Sequence, residues 1–170
     1  KDINKVFCKC ICKHTTVRYH SLDRKDIVSK LNWFYSLELN QVDLYMAQSK
    51  QVDDIYLSKV LERAAYIEQQ HVDNIAAKMR ELGSEPTKLC DAVAPLLGKI
   101  GGNITPKTGI IPMLKANILL EKKAMADYKD LILQVGHDTE LFNLLWANLI
   151  DEDFHTSWFA SKVYELEQNQ

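Results

Sequence analysis

Glu68-Gln69-Gln70-His71 and Glu152-Asp153-Phe154-His155 are two copies of one pattern, Glu-x-x-His, in a chain of 170 residues. On a helix, positions three apart share a face about one turn apart, so each copy sets a carboxylate beside an imidazole. One copy alone would carry little weight. Each, however, follows another glutamate in the same apolar phase: Glu38 lies 30 residues before Glu68, and Glu121 lies 31 residues before Glu152. Residues at one height in an antiparallel hairpin are equidistant from its turn. The two turns therefore fall at residue 53 and between residues 136 and 137.

The hydrophobic pattern around these motifs supports that geometry independently. Ser21 and Asp23 are good helix starts, and from there Ile27, Leu31, Phe34, Leu37, Gln41, Val42 and Tyr45 keep step with Glu38 to about Gln48. After a polar break at Gln51 to Asp54, Leu57, Leu61, Ala64, Ala65, Ile75 and Met79 keep step with Glu68 and His71 until Gly83. A third helix carries Met113, Leu114, Asn117, Ile118, Met125 and Tyr128 in phase with Glu121 and ends before Gly136. A fourth, from about Thr139, carries Leu141, Leu145, Asn148, Leu149, Phe159 and Val163 in phase with Glu152 and His155. Between Gly83 and Gly109, the breakers Pro86, Pro95, Gly98, Gly101, Gly102 and Pro106 exclude a long helix, although Leu89 to Ile100 has a short helical phase. The fold class expected is all-α: an antiparallel four-helix bundle over residues 23–170 with one long crossover between its second and third helices.

Two hairpins packed together bring Glu38, Glu68, His71, Glu121, Glu152 and His155 inward at one level. Surface charge on helices is the ordinary alternative, but a solvated face would not place its charges in phase with Leu and Ile. Four buried carboxylates raise one another's pKa and repel unless cations sit among them, and two divalent ions would neutralise them. Carboxylate oxygen with imidazole nitrogen suits iron or manganese better than structural zinc.

Composition narrows the rest. The chain is 46% hydrophobic and 26% charged with 6 Gly and 4 Pro, which fits a few long elements rather than many short strands. A net charge of -2 gives no general attraction to nucleic acid or anionic membranes. No apolar run is long enough to span a bilayer, and a cytoplasmic location is the default expectation. Residues 1–22 form a distinct basic arm bearing Cys8, Cys10 and Cys12, whose spacing is not that of a zinc site or a disulfide framework. Seven Lys or Arg lie between Lys1 and Lys25, but nothing suited to base stacking accompanies them, so nucleic acid is not an expected partner.

A glutamate followed by Glu-x-x-His, repeated over four helices, resembles the signature of the ferritin-like di-metal carboxylate superfamily. The resemblance covers residues 26–167 and is greatest to the bacterioferritin and rubrerythrin branches. It implies that Glu38, Glu68, His71, Glu121, Glu152 and His155 are metal ligands for two iron ions, or alternatively manganese, with Glu68 and Glu152 bridging. Ala124 stands where rubrerythrins carry a further glutamate, and the paired Cys-x-x-Cys of a rubredoxin module is absent from this sequence. Gln69 stands where bacterioferritins place their haem methionine, so no haem is expected.

The resemblance also makes Tyr45, two turns from Glu38, and Trp158, one turn from His155, candidates for electron donors beside the ligands; core packing is the plainer role for both. The activity implied is that of a non-haem di-iron oxidoreductase reacting with dioxygen or peroxide, supplied by an unknown electron donor, in a homo-oligomer such as a dimer. The alternatives are an iron-binding or storage bundle without an organic substrate, an oxygenase like the demethoxyubiquinone hydroxylases, and a manganese catalase.

Overall fold

The computed structural model describes residues 22–89, 109–136 and 138–169. The basic arm up to residue 21, and the short helical segment expected after Leu89, lie outside them. Four antiparallel helices form the bundle: α1 (Arg24–Ser49), α2 (Ile55–Glu81), α3 (Ile110–Ile132) and α4 (Thr139–Gln168). No strand occurs among the described residues.

Side-chain caps fix three of the four helix starts. Asp23 accepts a hydrogen bond from the Asp26 amide, Asp54 from those of Tyr56 and Leu57, and Asp138 from that of Leu141. Each carboxylate satisfies amides that the first turn leaves without partners and faces the positive end of the helix dipole. α3 has no side-chain cap and starts instead from Gly109 at φ 111°, a conformation open to glycine. α2 stops in a Schellman turn: Gly83, at φ 69°, donates to the Arg80 carbonyl, and Ser84 donates to the Met79 carbonyl.

α1 packs chiefly on α2 and α3 on α4, while narrower seams join α2 to α4 and α1 to α3. The core is divided. One apolar cluster, built on Leu31, Phe34, Met79, Leu131 and Leu141, fills the end holding the start of α1. A second, built on Leu57, Leu61, Met113, Leu114 and Phe159, fills the other end. Between them lies a layer of buried polar side chains that includes all four glutamates and both histidines. Burying a Leu or Phe contributes roughly 1.5–3 kcal/mol, so the clusters on either side, not the polar layer, hold the helices together. On the α1–α3 seam, Gln48 and Asn117 exchange two hydrogen bonds, of 3.0 and 2.7 Å, inside the second cluster's end of the bundle.

The end of α2 also carries a sharp sequence requirement. A Cβ at Gly83 would come within 2.9 Å of the Arg24 guanidinium, which itself donates to the Leu82 carbonyl. Gly83→Ala should therefore cost roughly 1–2 kcal/mol from the left-handed backbone alone. Urea unfolding checks this, and a variant as stable as the parent would contradict the reading of this turn.

Candidate metal centre

The six residues singled out in the sequence do meet. Glu38, Glu68, Glu121 and Glu152 are fully buried, His71 is 2% exposed and His155 8%. They fall into two overlapping groups: Glu38, Glu68, His71 and Glu152, and Glu68, Glu121, Glu152 and His155. Within each group, one ligand-type atom per residue lies within 4.8 Å of all the others, so Glu68 and Glu152 belong to both.

Each imidazole turns Nδ1 toward the carboxylates. His71 Nδ1 lies 3.0 Å from Glu68 Oε2 and 3.3 Å from Glu152 Oε1. His155 Nδ1 lies 3.0 Å from Glu68 Oε1, and 3.6 Å from both Glu121 Oε1 and Glu152 Oε2. Yet both Nδ1 atoms and all four oxygens of Glu68 and Glu152 lack a hydrogen bond of acceptable geometry, as does Glu38 Oε2. Buried polar atoms of this number do not normally go unpaired, because each costs about 1–3 kcal/mol. Donor atoms that converge without bonding to one another form a set that a shared cation could satisfy. The set also fits iron or manganese chemically, being carboxylate oxygen and imidazole nitrogen with no thiolate.

Tyrosines brace the outer glutamates in a crossed pattern. Tyr128 on α3 donates to Glu38 Oε1 on α1 at 2.6 Å, and Tyr45 on α1 donates to Glu121 on α3. Tyr45 follows Glu38 by seven residues, and Tyr128 follows Glu121 by seven. Thus Tyr45, picked out in the sequence as a neighbour of Glu38, serves the glutamate of the other hairpin. Tyr128, Gln41 and Asp151 were not assigned a role there. Gln41 Nε2 donates to Glu121 Oε2 at 3.1 Å, and Asp151 lies 3.1 Å from His71 Nε2. The matched seven-residue spacing was a usable signal for Tyr128. The Trp158 ring packs on Tyr56 and Phe159.

Electrostatics shows how the chain by itself holds this layer. Burial first, then repulsion from Glu152 and Glu68, pushes Glu38 well above the usual carboxylate range. Burial and Glu152 push Glu121 up to about 8. Burial and Glu68 oppose ionisation of Glu152, but its closeness to Glu121, His155 and His71 outweighs them and lowers its pKa. Burial works against a charged His71, yet Asp151, Glu152 and Glu68 push it up to about 12. His155 is likewise driven up, against its own burial, by Glu121, Glu152 and Glu68. Protons favoured on Glu38 and Glu121, together with positive charge favoured on the two imidazoles, lessen the repulsion within the layer.

That balance sets the sign of the pH dependence. Glu121 binds more protons folded than unfolded between its ordinary 4.5 and about 8, so the stability it contributes is full below that window and lost across it. His71 acts in the same direction from 6.5 to about 12. The melting temperature of the metal-free chain should therefore fall steadily as pH rises from 6 to 9. Thermal melts that rise across this range would contradict the charge assignment.

A family model described as a ferritin-like domain matches residues 28–168. No curated protein matches the chain significantly. Among solved structures the chain is similar to the bacterioferritin of Desulfovibrio desulfuricans, whose crystal structure concerns its diiron site in different catalytic states. The TM-score is 0.71 at 20% sequence identity, covering 85% of this chain and 82% of that one. At that identity the likeness is one of fold. The family match spans most of the chain and coincides with the bundle that carries the buried carboxylates, and on it the chain belongs to the ferritin-like domain family.

Proposed function

We propose that this chain binds two iron ions between its hairpins and works as a non-haem di-iron oxidoreductase toward dioxygen or peroxide. The observation that carries the reading is the pair of overlapping four-residue groups sharing Glu68 and Glu152. Glu38 and His71 would complete one metal position, Glu121 and His155 the other. Iron rather than manganese is favoured by the fold likeness to a bacterioferritin described with a diiron site. Bound iron supplies one-electron redox chemistry and Lewis acidity.

The chain's own residues do the rest. The apolar clusters above and below keep bulk water from the layer. Asp151 accepts from His71 Nε2, which turns the Nδ1 lone pair inward and strengthens it as a ligand. Tyr128 and Tyr45 hold Glu38 and Glu121 by one oxygen each; for Glu38 the other oxygen stays without a partner. Burial and the adjacent carboxylates raise both phenols' pKa, so they remain protonated donors.

Anaerobic loading with ferrous ion, followed by metal analysis, tests the reading directly. Two ions per chain are expected, along with consumption of dioxygen or peroxide by the loaded protein. A chain that retains no iron, or that prefers manganese and consumes neither oxidant, would refute it. Because burial and neighbouring carboxylates favour protons on Glu38, Glu121, His71 and His155, loading at neutral pH should release protons. A pH indicator in weak buffer measures this, and release of fewer than about one would be incompatible with displacement of those protons. Iron should also raise the melting temperature by linkage, and Glu68→Ala, which removes a ligand from both positions, should abolish most of that rise. An undiminished rise in the variant would exclude Glu68 as a ligand.

A further inference from the structure

The two halves of the layer present the same inner donors with unlike support behind them. Asp151 immediately precedes Glu152 and reaches across to His71, its carboxylate 3.1 Å from Nε2. The matching position before Glu68 is Ile67, which offers no acceptor, and His155 Nε2 is buried with no hydrogen-bond partner among the described residues. An imidazole that ligates a cation through Nδ1 keeps its hydrogen on Nε2. For His71 that hydrogen has an anionic acceptor, which fixes the ring and makes Nδ1 a stronger ligand. For His155 it has none, and a buried donor without an acceptor is costly.

The outer glutamates differ in the same sense. Tyr128, itself held by Asn148 at 3.1 Å, donates to Glu38 Oε1, and Glu38 Oε2 has no partner among the described residues. One oxygen orients the group and the other is free to ligate. Glu121 is held at both oxygens, Oε1 by Tyr45 and Oε2 by Gln41 at 3.1 Å. A cation there has to share lone-pair density that a donor already draws on. Ala124, at the matching place of the other hairpin, offers Glu38 no such donor.

We propose that the two metal positions are unequal and fill in order: the first cation is held by Glu38 and His71 with the two shared glutamates, and the second, held by Glu121 and His155, is weaker and the first to leave. Asp151 is the positioning residue that sets this order. The inference rests on the two-metal reading of the layer and goes beyond it, because the ligand types of the two halves are identical. Two ions that share Glu68 and Glu152 repel, so any such pair binds in two steps. What the surroundings decide is which position comes first.

The test uses zinc as a diamagnetic probe of the full chain, isotope-labelled at its histidine nitrogens and followed by NMR. His71→Gln and His155→Gln assign the two signals. One equivalent should move the His71 signal and leave that of His155 in place until a second is added. Anaerobic equilibrium dialysis against ferrous ion then gives the affinities of the two steps. Asp151→Ala should weaken the first by about tenfold or more, as when the outer partner of a ligating histidine is lost. Ile67→Asp, which by the two-fold relation of the halves gives His155 the acceptor it lacks, should tighten the second by about as much. Damage to the fold does not produce such a gain, and neither residue belongs to the apolar clusters. In the double variant the order should invert, with His155 responding to the first equivalent. His155 responding first in the parent, both histidines responding together, or a second step no tighter in Ile67→Asp overturns the inference, while two bound ions leave the di-iron reading standing. Retention of no metal by the parent removes that reading and the inference with it.

Discussion

Four carboxylates buried at one height impose the constraint to which the remaining structure answers. Each is fully buried, and together they make up the acidic members of two overlapping close groups. Left ionised together they would repel far more strongly than the same groups in water, because the interior screens charge poorly. The chain meets this in two ways. With no cation, protons gather on Glu38, Glu121 and the two imidazoles. On the proposed function, two divalent cations would take the place of those protons. The energy that tolerates either state comes from the apolar clusters at the two ends, where Leu, Phe and Met side chains are almost wholly buried.

The layer is nearly two-fold symmetric, and its departures from symmetry are instructive. The crossed tyrosines preserve the symmetry, each reaching from one hairpin to the outer glutamate of the other. Gln41 breaks it, since its counterpart one repeat on is Ala124, and only Glu121 gains an amide donor. Asn148 breaks it again by donating to the Tyr128 hydroxyl at 3.1 Å, where Ala64 stands near Tyr45. Asp151 and Ile67 break it a third time, at the outer nitrogens of the histidines. The inner donors of the two halves match and their surroundings do not.

Much of this was legible beforehand for physical reasons that can be named. The first helix start was readable because an aspartate cap is local chemistry, and Asp23 sits where the apolar phase begins; the matching caps Asp54 and Asp138 were not singled out. The six central residues were readable because a charged side chain in phase with leucine needs a reason to be there. What escaped were contacts between residues distant in sequence. Asp151 is 41% exposed at its side chain and off the buried face, and its partner is 80 residues away. Tyr45 was associated with the glutamate on its own helix, because helical spacing reveals who shares a face but not who reaches across a seam.

The amide pair between Gln48 and Asn117 has a consequence for the bundle as a whole. Leucines on facing helices are nearly interchangeable, so two hairpins joined only by such contacts could slide past each other by one turn, about 5.4 Å, at little cost. Such a slip would strand both amides and uncouple both phenols from their glutamates, burying several groups with nothing to bond. The seam thus admits a single register, and the height at which the six central side chains meet is set by a polar latch some distance from them.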